Sequence, residues 1–363
     1  MKTEEWIRAI GVMSGTSLDG LDLACCHFQH KEGAWTFVLE QTQTLSYSPE
    51  WKDRLGRAIE LSEAEHQQLD LDYGDYLGEC LGDFITKNNL QPELIGSHGH
   101  TSHHRPEEGI TCQLGYGQRI ANRTDLPVVS NFRQGDVALG GQGAPLVPIG
   151  DALLFSEFDA CLNLGGIANI SFENEAKERV AFDIGLANMG LNYLMQNEIP
   201  PYDRDGREAR TGKVDSGLLK ELNSLAYFAL KPPKSTGIEW FLSEIKPLLE
   251  KNSLSRPDLL RTLIEHMSQQ IIEALPQTSK ENNRLLVTGG GARNRFWMEQ
   301  LADQLPSHFT LHIPQNTWID FKEALVFAFM AVLRQRNQVN ILKSVTGARQ
   351  DSCGGDLFLP SAP

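Results

Sequence analysis

The chain has no apolar run longer than ten residues, Ala324 to Leu333, whereas a helix needs about 20 to cross a bilayer. A membrane-spanning helix is therefore not expected. Basic residues are in deficit: 33 Lys and Arg stand against 47 Asp and Glu, for a net charge of −14 spread along the chain. Tracking a nucleic-acid backbone or an anionic membrane surface calls for clustered Lys and Arg, and neither partner is expected. An anionic substrate would need a local basic patch. There are six cysteines, at 25, 26, 80, 112, 161 and 353, and no Cys-x-x-Cys pair. They lie mostly in apolar segments, so buried free thiols in a reducing compartment are expected rather than disulfides or zinc. The first eight residues are charged and lack a signal-peptide core, which makes the cytoplasm the expected location. No low-complexity segment stands out.

What remains is the composition of a soluble globular enzyme, 40% hydrophobic and 22% charged, in 363 residues, enough for two domains. The chain is organised around residues 11–22, Gly-Val-Met-Ser-Gly-Thr-Ser-Leu-Asp-Gly-Leu-Asp. β-favouring runs flank this stretch, at 6–12 and 21–28, so it reads as a hairpin tip rather than a strand-to-helix loop. Gly15 and Gly20 let the backbone approach a ligand, and the hydroxyls of Ser14, Thr16 and Ser17 can donate to anionic oxygens. Asp19 and Asp22 are carboxylates suited to a phosphate-bound Mg²⁺. The competing reading is a polar turn.

A third strand is expected at 35–46, and Pro49 opens a helical stretch. Leu69, Tyr73, Leu77, Cys80 and Phe84 recur at helical spacing, which predicts an amphipathic helix over 63–88. A short strand at 94–96 then runs into the loop Ser97-His98-Gly99-His100-Thr101. Residues 160–172 repeat the opening as strand, Gly turn, strand, and 179–183 supply a third strand. Two hairpin-started units predict duplicated α/β domains facing one another across a cleft. Between them, residues 127–148 read as a Gly-rich hinge or substrate loop. A buried strand at 285–288 ends in a third glycine turn, 289–294, and a helix is expected from about Phe321 to Gln335.

Three glycine turns at strand ends fit a nucleotide, two on phosphates and one near base and ribose; turns alone would also explain them. Asp183 closes a strand, where it suits a general base or, equally, an Asx turn or helix N-cap. His98, His100, His103 and His104 lie within seven residues, but no carboxylate or thiol stands at ligand spacing, so hydrogen bonding or exposure is expected rather than zinc. Arg133 can clamp a carboxylate or phosphate, or pair with Asp136 at the surface. Glu323 precedes the apolar run, where it would open a helix and favour its dipole or, with the preceding loop lining a cleft, point toward that cleft. Lys234 in Pro-Pro-Lys-Ser-Thr is open to the same two readings.

Seven blocks together resemble the anhydro-N-acetylmuramic acid kinase family: residues 11–22, Gly-Ser-His-Gly (96–99), Gly-Gly-Gln-Gly-Ala-Pro-Leu-Val-Pro (140–148), Asn-Leu-Gly-Gly-Ile-Ala-Asn-Ile (163–170), Pro-Pro-Lys-Ser-Thr-Gly (232–237), Gly-Gly-Gly-Ala-Arg-Asn (289–294) and Ser-Val-Thr-Gly-Ala (344–348). The resemblance implies two duplicated actin-like (ribonuclease H-like) α/β domains, 1–130 and 131–363, with the last helix free to pack back on the first. It implies ATP and Mg²⁺ as cofactors, a homodimer, and conversion of 1,6-anhydro-N-acetylmuramic acid to the 6-phosphate in cell-wall recycling. By position, Gly15, Thr16, Ser17, Leu18, Asp19, Gly20 and Asp22 would hold ATP phosphates, with Asp19 and Asp22 toward the metal. Gly165, Gly166 and Asn169 would form the second phosphate turn, and Gly289, Gly290, Gly291 and Asn294 the adenosine side. Asp183 would be the base, with His98, Arg133 and Glu323 around the sugar.

The chain departs from the family pattern near these residues. Phe-Asp-Thr-Gly-Pro-Gly-Asn is replaced by Phe182-Asp183-Ile184-Gly185-Leu186-Ala187-Asn188, His-Gly-Gln-Thr by His98-Gly99-His100-Thr101, and Asp-Phe-Arg by Asn131-Phe132-Arg133; Tyr116 stands where an Asp is usual. Two alternatives follow: a kinase of the same fold acting on a related amino sugar, or a protein that binds ATP and muropeptides without turnover.

Overall fold

The computed structural model describes residues 5–15, 18–251 and 253–361. Contacts divide the chain into two compact units, one running to Leu154 and resuming at Phe321, the other Phe155–Asp320. Set against the expected border at 130/131, the first unit extends to Leu154 and takes back the chain from Phe321. Local bonding explains why: Gln142 N–H donates to Thr346 O, and Thr346 Oγ1 to Asp136, so residues 131–153 are tied to the C-terminal segment.

In the first unit, β1 (Ile7–Ser14), β2 (Leu21–Lys31) and β3 (Ala34–Leu45) form an antiparallel meander. β4 (Leu94–Arg105) pairs parallel with β1, β5 (Ile110–Leu114) folds back on the second half of β4, and β6 (Val128–Ser130) lies parallel to β4. A final strand, Asp356–Phe358, closes the edge beside β6. The second unit has β7 (Ala160–Leu164), β8 (Ile167–Glu173) and β9 (Arg179–Leu186) as a meander, with β10 (Asn283–Thr288) parallel to β7 and β11 (Phe309–His312) parallel to β10. Strand order and sense are the same in both, β3-β2-β1-β4-β6 and β9-β8-β7-β10-β11. The duplicated actin-like α/β fold expected from the sequence is thus present as a repeated topology.

The expected amphipathic helix is Glu63–Lys87, begun by a Ser62/Glu65 capping box and burying Leu69, Tyr73, Leu77, Leu81 and Phe84 on one face of the sheet. The other face takes the helix Asn316–Gln335, whose run Ala324–Leu333 is at most 2% exposed. Gly11 and Gly96 lie opposite one another on β1 and β4. A Cβ there would stand 1.7 Å from Ala324 O and 2.2 Å from Phe327 O. The two glycines therefore let the helix backbone rest directly on the sheet.

Three local expectations are corrected. Residues 97–101 are not a loop but part of β4, because β5 supplies backbone partners as far as Arg105. Residues 127–148 are not one loop: they contain β6, the helix Phe132–Ala138 and only then the Gly140–Pro145 segment. The helix expected from about Phe321 starts at Asn316, so Glu323 sits two turns inside it and is not a first-turn residue.

Candidate functional site

In the first unit the pairing of β1 with β4 slips between Val12 and Ser14, so that Ser14 faces His100. Gly99 turns at φ 73° within this bulge. The slip gives His98 and His100 different partners. His98, 5% exposed, donates from Nδ1 to Gly99 O at 2.9 Å and accepts at Nε2 from Arg133 Nε and Nη2 at 3.1 and 2.9 Å. This bonding fixes the neutral Nδ1–H tautomer. Burial and then the neighbouring guanidinium hold His98 down at about 3. Arg133 is itself lowered to about 10 by burial, with Glu323 acting in the opposite direction. Its third contact is Nη1 to Gly143 O at 2.8 Å.

Gly143 is held from both ends, since its N–H donates to Asp136 Oδ2 at 2.7 Å. Asp136 is fully buried and also accepts Thr346 Oγ1 at 2.7 Å. The surface ion pair considered for Arg133 and Asp136 is thus absent: the arginine serves His98 and the aspartate the glycine loop. Solvent reaches Glu323. Protein around it raises its carboxyl, while Arg133 and Lys322 pull it back. Lys322 forms a buried pair with Asp151 at 2.7 Å.

Of the opening hairpin tip, Thr16 and Ser17 lie outside the described residues. Asp19 is exposed, and Asp22 Oδ1 accepts Thr44 Oγ1 at 2.5 Å. Beneath the tip runs a buried polar chain: Tyr73 OH and Tyr47 OH are 2.6 Å apart, Tyr47 OH donates to Ser14 Oγ at 2.8 Å, and Ser14 Oγ is 3.2 Å from His100 Nδ1. Burial lowers His100 to about 4. Among the described residues no three His, Cys, Asp or Glu side chains converge as a metal cluster. A Mg²⁺ bound here would use one or two carboxylates with phosphate and water oxygens, which is how that ion is commonly held.

In the second unit two of the glycine turns adjoin. A Cβ on Gly289, which turns at φ 80°, would stand 2.7 Å from Asn163 Oδ1 and from Leu164 C, and one on Gly291 2.7 Å from Leu164 Cβ. The β7–β8 turn is stitched to the start of the helix Asn188–Met195. Asn188 Nδ2 donates to Leu164 O and Gly165 O at 2.8 and 2.7 Å, its N–H to Gly165 O, and the N–H groups of Ala187 and Met189 to Gly166 O. Asn294 spends its carbonyl on Trp297 N–H as a helix N-cap.

Asp183 lies inside β9, opposite Asn169. It is no helix cap, because that position belongs to Ala187. Its N–H donates to Lys234 O at 3.0 Å, its carbonyl accepts Tyr227 OH at 2.8 Å, and Oδ2 accepts Thr236 N–H at 3.0 Å. Burial pushes its carboxyl above the ordinary range, with the Thr236 N–H opposing. Sequence reasoning named Asp136 only as a surface partner for Arg133, and missed Thr346, Tyr227 and the anchoring role of Asn188. The blocks at 140–148, 232–237 and 344–348 were the signal, but nothing local assigned them partners.

Two α/β units of one topology, glycine turns at their strand ends, and a half-buried carboxylate on the edge strand β9 of the second sheet fit a phosphotransferase of the kinase class. Residues 7–360 match the family model for anhydro-N-acetylmuramic acid kinase, and the chain belongs to that family. It is 34% identical over 370 residues to the anhydro-N-acetylmuramic acid kinase of Sulfurimonas denitrificans, covering 96% of this chain and 98% of that one. The Vibrio cholerae protein of the same name is 36% identical over 371 residues, with 97% and 98% covered. Among solved structures, (R)-2-hydroxyglutaryl-CoA dehydratase component A of Acidaminococcus fermentans aligns at a TM-score of 0.42 and 11% identity, over 90% of this chain and 97% of that one.

Proposed function

We propose that the protein uses ATP and Mg²⁺ to phosphorylate 1,6-anhydro-N-acetylmuramic acid at O6 while water opens the anhydro bridge, giving N-acetylmuramic acid 6-phosphate and ADP in cytoplasmic peptidoglycan recycling, as a homodimer. Asp183 carries this reading. It is a carboxylate raised by burial, as a general base working near neutral pH should be. One oxygen is steadied by Thr236 N–H, and Oδ1 has no hydrogen-bond partner among the described residues. That oxygen would take a proton from the water attacking C1; the C1–O6 bond breaks, and O6 accepts the γ-phosphoryl group from ATP.

The remaining roles are proposed by position. Gly15, Thr16, Ser17, Leu18, Asp19, Gly20 and Asp22 hold phosphate, with Asp19 and Asp22 toward Mg²⁺. Gly165, Gly166 and Asn169 form a second phosphate turn, and Gly289, Gly290, Gly291 and Asn294 meet the adenosine. His98, Arg133 and Glu323 face the sugar. Both ring nitrogens of His98 are engaged within the protein, so its part would be to hold Arg133 in place. Purified protein with Mg²⁺, ATP and the anhydro sugar should form the 6-phosphate, and Asp183→Asn should nearly abolish it. ADP release with no phosphorylated sugar by mass spectrometry would sink the proposal, and a better rate on a non-anhydro amino sugar would redirect it to that substrate.

A further inference from the structure

Asp183 is gripped at three points by one segment, residues 227–236, lying 44 to 53 positions further along the chain. Tyr227 OH takes the Asp183 carbonyl, Lys234 O takes its N–H, and Thr236 N–H takes its carboxylate. The segment is also closed on itself. The Lys234 ammonium lies 4.6 Å from the Tyr227 ring centroid and donates to Tyr227 O at 3.4 Å. Asp183, Tyr227 and Lys234 therefore form a ring in which each touches the other two.

Lys234 has no carboxylate within ion-pair distance among the described residues, and burial lowers its pKa. Glu273 opposes that shift from beyond ion-pair distance, and the half-buried ammonium is held directly by an aromatic face and a carbonyl, an arrangement suited to clamping a loop. The Tyr227 ring is fixed in turn, 4.9 Å from Trp240 and 5.7 Å from Phe228, and Phe228 sits 5.0 Å from the buried His266. This bracing bears on β9, whose Asp183 lies opposite Asn169. Its products are the position of β9 at Asp183 and the aim of one carboxylate.

We propose that Tyr227 and Lys234 are positioning residues that fix the Asp183 carboxylate for proton abstraction; the inference rests on the reading of Asp183 as base. Tyr227 acts through the Asp183 carbonyl. Lys234 acts through Tyr227 and through the loop that presents Thr236 N–H. A bond geometry loosened by about 1 Å at a reacting group can cost on the order of a hundredfold in rate.

The test compares wild type, Tyr227→Phe, Lys234→Met, Lys234→Arg and Asp183→Asn in steady-state turnover of the anhydro sugar, from about pH 5 to 9. Tyr227→Phe and Lys234→Met should lower kcat by about 10- to 100-fold while both KM values stay within about twofold. Lys234→Arg, which keeps the cation on the ring, should recover most of the rate. Loosening Thr236 N–H from the carboxylate removes what holds the Asp183 pKa down, so the acid limb of the kcat profile should move to higher pH. A role confined to folding would lower the rate alike at every pH and leave the limb in place, and that outcome overturns the proposal. Wild-type kcat in Lys234→Met, or a loss that appears only in KM, also overturns it. If Asp183→Asn keeps the wild-type rate, the base reading itself fails. If Asp183→Asn is inactive while Tyr227→Phe and Lys234→Met behave as wild type, only the positioning role fails.

Discussion

Asp136 offers a sharp test of how the first unit holds its glycine loop. The side chain is fully buried and bonds Gly143 N–H and Thr346 Oγ1, each at 2.7 Å. Asp136→Ala leaves the buried Gly143 N–H without an acceptor, at about 1 to 3 kcal/mol, and Thr346 Oγ1 with only Leu342 O at 3.4 Å, so the loss should be about 2 to 4 kcal/mol. Asp136→Asn should be much milder. Its carbonyl can keep Gly143 N–H, and its amide can donate to Thr346 Oγ1 if that hydroxyl gives its proton to Leu342 O, 3.4 Å away. The remaining loss is the charge-assisted part of two bonds, about 1 kcal/mol. Urea unfolding followed by far-UV circular dichroism measures both variants. With two units the curve need not be a single transition, so the comparison is made on whichever transition Thr346→Val also moves. Because Gly143 O accepts from Arg133, Asp136→Ala should also raise KM for the sugar more than for ATP. An Asp136→Ala protein within about 1 kcal/mol of wild type, or an Asn variant as damaged as the Ala one, would refute the reasoning.

Gly289→Ala should destabilise the second unit by about 2 kcal/mol or more, because the residue turns at φ 80° and its Cβ would stand 2.7 Å from Leu164 C. Gly290→Ala meets nothing nearer than Asn188 Nδ2 at 3.9 Å, so its melting temperature should hold while ATP affinity falls if the turn meets nucleotide. His98 and His100 stand at about 3 and about 4 in the fold against 6.5 ordinarily. Between those values the unfolded chain binds protons that the fold refuses, so stability is intact above about pH 6.5 and falls below it, by up to about 1.4 kcal/mol per pH unit for each. His100→Gln should flatten that acid slope, and an unchanged slope would count against the buried neutral imidazole. Ile184→Thr, which restores the family's usual residue, should lower the melting temperature without raising kcat; a tenfold gain in kcat would show that the side chain belongs to the site.

Local pattern carried the fold as far as local pattern reaches. Both hairpins, the helix Glu63–Lys87 and the buried strand β10 were legible because their apolar residues repeat at one period. The second half of β4 was not, since Ser102, His103, His104 and Arg105 have little strand propensity and are held by pairing with β5. The strands β6 and Asp356–Phe358 have three residues each, too few to show alternation. The start of the helix Asn316–Gln335 was misplaced because Asn316 to Asp320 are mostly polar and the apolar run begins only at Ala324. Among the site residues, chemical type and strand-end position pointed to Asp183, His98 and Arg133. Their partners could not be read that way: Thr346 lies 210 positions from Asp136, and Thr236 lies 53 from Asp183. A contact over such a separation leaves no trace in the residues around either partner.

The departures from the family pattern bear differently on chemistry once their side chains are located. Ile184, Leu186 and Ala187 are 4%, 2% and 0% exposed and belong to the apolar core of the second unit, with Leu164, Leu191 and Ile245. They alter what lies under β9 rather than the polar groups around Asp183, whose three partners come from another segment. Asn188, which follows them, still stitches the Gly165 turn through its side chain. Asn131 turns at φ 57°, a conformation that asparagine tolerates, and donates from Nδ2 to Asp356 at 2.9 Å. The usual aspartate there would set two carboxylates against each other, so in this chain the amide suits its neighbour. Tyr116 packs edge-on against Phe358, while Asp70 takes the N–H of Gly115, just before the helix Gly117–Thr124. His100 is the exception. It joins the buried chain through Ser14, on the strand that leads into the opening hairpin, and so, on the proposed phosphate role of that hairpin, it is placed to change how a ligand is met rather than how the core is filled.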